Sequence, residues 1–179
     1  MALTLPRELA DRESFDALVQ RRSRFVFQVA YAAVGQAHDA EDVVQEVFLR
    51  LYRTGAWRRM EDEAAFLART TWRLARSRRA RLAKLTGTGS EEEFLAAPDL
   101  APSPEDCAMG VQQQALVRRL VAQLPSELRH ALILSTIDEM PSAAVGEVLG
   151  IPAGTVRSRV LRARQLLREK YSALTGGKR

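Results

Sequence analysis

Apolar residues recur at helical spacing along most of the chain. The first stripe predicts a helix over residues 14–34, followed by a second helix from Asp39 and a third over 62–85. Gly35 lies where a left-handed C-cap would end the first helix. The stripe of the second helix consists of Val43, Val44, Val47, Phe48 and Leu51. No segment alternates with period two beyond a few residues, so strands are not predicted.

Helical periodicity breaks down between residues 86 and 104, where glycines and prolines interrupt the chain, and it resumes near Glu105. The interrupting residues are Gly87, Gly89, Pro98, Pro102 and Pro104. This pattern predicts an all-α fold with two small helical domains, over 12–85 and 107–173, joined by a linker over 86–106. The linker is acidic and is expected to be flexible.

The second half ends in the layout of a helix-turn-helix, which is a short helix, a glycine turn and a long basic helix. The short helix is predicted over 141–149 and the long helix over 152–171, with Gly150 in the turn. Gly146 suits a crowded crossing of the two helices. Ile151 is predicted to be the apolar anchor between them.

The long helix has two distinct faces. At about 100° per residue, the residues predicted to be buried are Val156, Val160, Ala163, Leu167 and Tyr171. The outward residues are Ser158, Leu161, Arg162 and Gln165, with Arg157, Arg164 and Arg168 on one edge and Arg159 on the other. Such a face suits a DNA major groove, because central residues can meet base edges while the flanking guanidiniums reach phosphates. With Thr155, these outward and flanking residues are the candidate DNA-binding residues of this helix. A solvated amphipathic helix is the alternative.

Charge supports binding to a polyanion at two places. The chain of 179 residues carries 27 basic and 22 acidic residues, for a net charge of +5. Basic residues concentrate over 69–84 and 157–170, and acidic residues over 91–106. Two basic blocks separated by an acidic stretch are typical of nucleic-acid binding. Two solvated helix faces would give the same composition.

Several classes of protein are not indicated. The single cysteine, Cys107, excludes an intramolecular disulfide and a multi-cysteine zinc site, and two scattered histidines do not indicate a metal. No nucleophile–base pair or phosphate-binding loop is apparent, so neither a cofactor nor enzymatic activity is expected. The apolar runs are too short to cross a bilayer, and the N-terminus has no apolar secretory segment. The sequence predicts a cytoplasmic protein without membrane insertion.

Two sets of motifs resemble the extracytoplasmic-function sigma factors, small initiation factors of bacterial transcription. In the second half they are Leu124-Pro125, Leu149-Gly150-Ile151-Pro152, Gly154-Thr155-Val156-Arg157-Ser158-Arg159 and Arg162-Ala163-Arg164. In the first half the motif is Asp39-Ala40-Glu41-Asp42-Val43-Val44-Gln45-Glu46-Val47-Phe48. The resemblance extends from Phe15 to Tyr171 and keeps both motifs in the family's order. It implies that residues 12–85 bind polymerase and the minus-ten element, and that residues 107–173 bind the minus-thirty-five element.

The resemblance also implies a surface that docks on core RNA polymerase. In the family this surface is the acidic helix, and the corresponding residues here are Asp39, Glu41, Asp42, Gln45 and Glu46. Acidic residues in a first turn also complement the helix dipole and cap free amides. A capping role is therefore the alternative for Asp39 and Asp42, whereas Gln45 and Glu46 lie beyond the cap.

For the minus-ten element, the resemblance points to the loop before the third helix and to that helix. The candidate DNA-binding residues here are Trp57, Arg58, Arg59, Arg73 and Arg76. Trp57 is alternatively a core residue. The chain departs from the family in having Phe66-Leu67 followed by Thr70-Thr71-Trp72-Arg73, without the usual asparagine, and in Pro141-Ser142-Ala143-Ala144.

The partners expected from the resemblance are core RNA polymerase, promoter DNA and an anti-sigma factor. Two other functions are compatible with these motifs. The chain could be a sigma-like decoy that titrates an anti-sigma factor, or an autonomous helix-turn-helix regulator. The basic recognition helix argues against the decoy, and the absence of a visible dimerisation helix argues against the regulator.

Overall fold

The computed structural model describes residues 7–86 and 111–175, and every regular element within these ranges is helical. The all-α prediction is therefore confirmed. The helices are α1 (Arg7–Val34), α2 (Ala37–Thr54), α3 (Glu63–Thr86), α4 (Val111–Ala122), α5 (Ser126–Thr136), α6 (Ser142–Leu149) and α7 (Ala153–Thr175), with 3₁₀ turns at Ala56–Arg59 and Ile137–Glu139. None of these helices is long and apolar enough to span a membrane.

Two helices begin earlier than periodicity predicts. Helix α1 starts at Arg7 rather than at residue 14, because its first two turns contain good helix formers but no apolar stripe. Helix α2 starts at Ala37, and the extended residue Gln36 occupies its N-cap position. Asp39 therefore lies inside the first turn and is not the N-cap.

Helices α1, α2 and α3 pack against one another around a dense apolar core. Val26 and Val29 of α1, Val43 of α2 and Leu67 of α3 are each fully buried there. Burying one such side chain stabilises the fold by about 1.5–3 kcal/mol. This core fixes the orientation of α2 and α3, the two helices that carry the candidate residues of the first half.

Glu63 ties the beginning of α3 to α1. Its carboxylate accepts hydrogen bonds from Arg21, at 2.8 Å, and from Arg22. Burial alone would raise the pKa of Glu63, but the two guanidiniums outweigh this and hold the pKa below its ordinary value. The side chain of Asp62 also caps α3, because its Oδ1 accepts a hydrogen bond from the Ala65 amide at 2.9 Å.

In the second half, α7 packs across α4, α5 and α6. A smaller apolar cluster of Leu124, Leu128, Leu132 and Ala163 holds α5 against α7. The turn between α5 and α6 contains two consecutive non-glycine residues with left-handed backbone, Asp138 with φ 47° and Glu139 with φ 49°. Asp138 also accepts a hydrogen bond from Arg22 of α1 at 3.4 Å.

The two halves share one apolar core. The main cluster joins residues of α1–α3 to Leu134 of α5, Val145 of α6 and Val156 of α7. The rings of Trp72 on α3 and His130 on α5 pack in a T-shaped arrangement, with centroids 5.1 Å apart. The division into domains over 12–85 and 107–173 stays a prediction. Residues 87–110, which include Cys107 and almost all of the predicted linker, lie outside the described residues.

Acidification is expected to weaken the contact between α3 and α5. Burial, with the charges of Arg129 on α5 and of Arg79 and Arg76 on α3, lowers the pKa of His130 from 6.5 to about 4. The folded state therefore prefers the neutral imidazole. The contribution of this group to the free energy of unfolding is fully present above pH 6.5 and is lost as the pH falls toward 4. We expect about 2 kcal/mol of unfolding free energy to be lost between pH 7 and pH 5 through this group.

Urea unfolding at the two pH values measures this loss. The variant His130→Asn should show a smaller pH dependence than the wild type, because its side chain does not titrate. The exposed His38 on α2 provides the control, since His38→Asn should keep the wild-type dependence. Equal dependence in wild type and His130→Asn would contradict the assignment.

Candidate nucleic-acid interface

The turn between α6 and α7 has the close approach of a helix-turn-helix. Gly150 ends α6 in left-handed backbone with φ 72°, a conformation that suits glycine. The Ile151 amide then donates to the Gly146 carbonyl at 2.9 Å. A Cβ on Gly146 would lie 2.6 Å from the Ile151 carbonyl oxygen, so only glycine fits. The crowding predicted at Gly146 is therefore present in the structure.

Replacing Gly146 by alanine should destabilise the helix-turn-helix by about 1–3 kcal/mol, because α6 or the turn must shift to admit the methyl group. Gly154→Ala is the matched control in α7. Its Cβ would meet only the flexible end of Arg157 at 3.8 Å, so this variant should be at least as stable as wild type. Chemical denaturation followed by circular dichroism measures both, and equal stabilities would contradict the steric argument.

Helix α7 has an inner and an outer face as its periodicity predicts, although Val160, Leu167 and Tyr171 on the inner face are half-buried. Val156 and Ala163 are fully buried, whereas Leu161 on the opposite side is 68% exposed. The neighbours of Leu161 on the outer face, Ser158, Arg162 and Gln165, are exposed as well. Because Leu161 is a large apolar side chain held in solvent among arginines, this face has the character of a binding surface.

Most arginines of α7 are available to a ligand. Within the described residues, Arg157, Arg162, Arg164 and Arg168 are exposed and pair with no acidic side chain. Arg159 differs, because its guanidinium donates to Glu127 of α5 at 2.7 Å. A phosphate contact by Arg159 would therefore replace an existing ion pair, while the other four arginines bring uncompensated positive charge.

The polar side chains of this face already make local hydrogen bonds. The hydroxyl of Ser158 donates to the Thr155 carbonyl at 2.9 Å, which leaves its oxygen as an acceptor. The amide of Gln165 donates to Glu169 at 3.2 Å. Thr155 itself is half-buried at the first turn of α7.

Trp57 combines the core and surface roles considered from the sequence. It lies in the 3₁₀ turn between α2 and α3 and is half-buried, with its ring centroid 5.4 Å from that of Phe15. The guanidinium carbon of Arg58 lies 4.7 Å from the ring centroid. The Nε1 atom of Trp57 is buried and has no hydrogen-bond partner within the part of the chain that the structure describes. The next residue, Arg59, is exposed.

On α3, Arg73 and Arg76 are exposed and lie three residues apart, so they share one side of the helix. Arg73 occupies the position where the resembling family has asparagine. Thr71 and Trp72 beside it are buried, and among the described residues neither Thr71 Oγ1 nor Trp72 Nε1 has a hydrogen-bond partner. The atypical stretch 70–73 is thus partly a core segment.

The acids of α2 divide into two groups. Asp39 and Asp42 are half-buried and form ion pairs with Arg78 of α3, the first at 3.7 Å. Asp39 lies in the first turn of α2, where its charge also complements the helix dipole. The ion-pair partner of both acids is on a neighbouring helix. Glu41 and Gln45 are exposed, and Glu46 is half-buried.

Sequence reasoning missed two apolar residues on the exposed side of α2. Leu49 and Tyr52 are both 49% exposed. Their spacing of four and seven residues from Gln45 places them on the side that carries Glu41 and Gln45. The sequence contained a signal for this surface, because these two large apolar residues lie at helical spacing on an otherwise polar face. Among the described residues, no group of histidine, cysteine, aspartate or glutamate is arranged to hold a metal ion.

Comparison with known proteins identifies the family. The model for region 2 of sigma-70 matches residues 18–85, and the model for region 4 matches residues 114–167. The RNA polymerase sigma-H factor of Pseudomonas aeruginosa is 32% identical over 171 residues, which cover 88% of this chain and 86% of that protein. The chain belongs to the extracytoplasmic-function sigma factors. It is a promoter-directing sigma factor, and the decoy and the autonomous regulator are not favoured.

Another relative of this sigma factor is the ECF RNA polymerase sigma factor SigE of Mycolicibacterium smegmatis, which is 32% identical over 165 residues. These residues cover 90% of this chain and 64% of that protein, so the chain spans slightly less than two thirds of SigE. Among solved structures, CnrH in complex with the cytosolic domain of CnrY matches with a TM-score of 0.59 and 23% identity over 90% of each chain. That likeness supports the fold.

Proposed function

We propose that this sigma factor reads the minus-thirty-five element with the outer face of α7. The observation that carries the assignment is a set of four exposed arginines around Leu161 that have no acidic partner among the described residues. They lie on a helix whose opposite face packs inward. Arg157, Ser158 and Arg162 would meet base edges, and Leu161 would contact a thymine methyl group. Arg164 and Arg168 would hold phosphates, joined by Arg159 when it leaves Glu127. Thr155 and Gln165 complete the surface at its two ends.

We propose that the exposed side of α2 docks on core RNA polymerase. Glu41 and Gln45 supply polar contacts, with Glu46 beside them. Leu49 and Tyr52 extend the surface with apolar area that docking would remove from water. Asp39 and Asp42 contribute less directly, because Arg78 already compensates their charge.

For the minus-ten element, we propose that Arg58, Arg59, Arg73 and Arg76 hold the backbone of the melted strand. Melting takes a base out of its stack and requires a protein surface that receives it. Trp57 would help to form that surface with the part of its ring that Phe15 and Arg58 leave uncovered. The missing asparagine at Arg73 is expected to change the sequence preference there.

The partners follow from the family and from the site. The partners we propose are core RNA polymerase, promoter DNA and an anti-sigma factor. CnrH, a structural neighbour, was solved in complex with the cytosolic domain of CnrY, and another neighbour, RpoE of Bartonella quintana, in complex with the anti-sigma factor NepR. We place the protein in the bacterial cytoplasm, where promoters and polymerase lie, and assign it no enzymatic reaction of its own.

Run-off transcription with core polymerase tests the proposed function. Adding the chain to core polymerase and genomic fragments should yield discrete transcripts that neither component gives alone. A decoy would yield none while still binding an anti-sigma factor. An autonomous regulator would bind promoter fragments tightly without polymerase and would not create new start sites.

A further inference from the structure

Helix α5 contributes an acidic residue to the edge of the outer face of α7. Glu127 lies in the first turn of α5, and its Oε2 atom accepts a hydrogen bond from the Arg159 guanidinium at 2.7 Å. The Glu127 side chain is 59% exposed, whereas that of Arg159 is 26% exposed. A carboxylate in contact with solvent thus lies beside the surface assigned to the minus-thirty-five element.

This ion pair distinguishes Arg159 from the other arginines of α7. The four exposed arginines of the helix have no acidic partner among the described residues, so their charges are available to DNA of any sequence. The charge of Arg159 is already compensated in the free protein. A phosphate therefore gains a contact with Arg159 only by taking the guanidinium from Glu127.

A structural role is the alternative for Glu127. An acidic residue in the first turn of a helix complements the helix dipole and stabilises the helix. That role concerns the stability of α5, does not require Arg159, and is the same whichever DNA sequence is bound. The two roles therefore predict different effects when the charge of Glu127 is removed.

A DNA phosphate competes with Glu127 for the guanidinium of Arg159. An exposed ion pair is weak, so one well-placed phosphate is sufficient to displace the carboxylate. After the exchange, the released carboxylate faces the negative sugar–phosphate backbone, which opposes binding. The exchange is therefore favourable only where a phosphate is held in a fixed position opposite Arg159.

Cognate and non-cognate DNA differ in how well they fix that phosphate. On the cognate element, hydrogen bonds from Arg157 and Arg162 to base edges hold α7 in one register, so the same phosphate stays opposite Arg159. On other sequences these hydrogen bonds are missing, and the protein slides along the backbone. Arg159 then stays with Glu127, and the non-cognate complex loses one phosphate contact.

We propose that Glu127 is a specificity-determining residue for the minus-thirty-five element, because it withholds Arg159 from the phosphates of non-cognate DNA. The inference rests on the proposed function, since it assumes that the outer face of α7 meets this element. Glu127 itself contacts no base. It acts through Arg159, and it improves discrimination by weakening the wrong complexes.

Replacing Glu127 by glutamine tests the proposal, because glutamine keeps the shape of the side chain and loses the charge. Holoenzyme is offered promoter fragments that differ only in the minus-thirty-five element, at several salt concentrations. Glu127→Gln should bind the scrambled fragment about five- to tenfold more tightly, and the cognate fragment less than about twofold more tightly. The salt slope on the scrambled fragment should become steeper by roughly one unit, because Arg159 then contacts a phosphate.

Two controls establish that Glu127 acts through Arg159. In the Arg159→Ala background, Glu127→Gln should leave the preference between the two fragments unchanged. Glu169→Gln removes the same charge from α7 itself, where Glu169 accepts a hydrogen bond from Gln165 and does not contact Arg159, and it should tighten both fragments equally. Circular dichroism establishes that each variant keeps its helices.

Equal tightening of both fragments by Glu127→Gln would overturn the proposal, since removal of a charge alone would explain it. A loss of preference that persists in the Arg159→Ala background would also overturn it. A wild-type holoenzyme without any preference between the two fragments would instead refute the proposed function of α7, so the two failures are distinguishable.

Discussion

Replacing Glu41 by lysine is expected to weaken the binding of this sigma factor to core RNA polymerase about 10- to 100-fold, or about 1.4–2.8 kcal/mol. The carboxylate of Glu41 is exposed on the side of α2 that carries Gln45, Leu49 and Tyr52. An acidic surface docks most favourably on a basic partner surface, and against such a surface the reversed charge removes an attraction and adds a repulsion. Because Glu41 makes no ion pair within the described residues, the helix should fold as before.

A titration of labelled core polymerase at several salt concentrations measures the effect. Salt screens exposed charges, so the difference between wild type and Glu41→Lys should shrink as ionic strength rises. Glu61→Lys, which changes an exposed glutamate outside α2, is the matched control and should bind like wild type. Unchanged binding of core polymerase by Glu41→Lys would contradict the proposal that the exposed side of α2 is the docking surface.

Replacing Arg162 by alanine is expected to relax the preference of the holoenzyme for its minus-thirty-five element by about 10- to 100-fold. An arginine that donates two hydrogen bonds to guanine discriminates by about 1–3 kcal/mol. Arg168→Ala should instead weaken cognate and scrambled elements alike, and should reduce the salt slope by roughly one unit, because Arg168 is assigned to a phosphate. Both side chains are exposed and unpaired within the described residues, so the two variants are a matched pair.

Competition between cognate and scrambled promoter fragments, carried out with holoenzyme at several salt concentrations, separates the two roles. Equal losses on both fragments from both substitutions would show that Arg162 does not read bases. If only Arg168→Ala lost the sequence preference, Arg168 would be the residue that reads bases and Arg162 the one that holds a phosphate.

The spacing of apolar residues predicted most features that belong to a single helix, such as its buried and exposed faces. The buried stripe of α7, the outward position of Leu161 and the crowding at Gly146 follow from spacing and from a missing side chain. The start of α1 did not follow, because residues 7–13 form helix by propensity without an apolar stripe.

Contacts between distant parts of the chain were not predictable in this way. Spacing indicates which face of a helix is buried but not which helix covers it. Asp42 and Arg78 are 36 residues apart, and Arg69 and Glu147 are 78 residues apart. The resemblance assigned Asp42 to polymerase docking, with a capping role as the alternative, and the charge pattern placed Arg69 in a basic block. Neither indicated that each residue has an ion-pair partner on another helix. The burial of His130 was not predicted either, because it depends on α3, which is distant in the sequence.

The left-handed turn at Asp138 and Glu139 limits which sequences can occupy the junction of α5 and α6. A β-branched residue is strongly disfavoured at either position, because its Cβ substituents clash in left-handed backbone. Glycine at 139 would relieve about 1 kcal/mol of strain. At 138 the same exchange would delete the carboxylate that meets Arg22. The two positions should therefore tolerate different substitutions. Position 139 can become glycine or asparagine, whereas position 138 is restricted to short acidic or amide side chains.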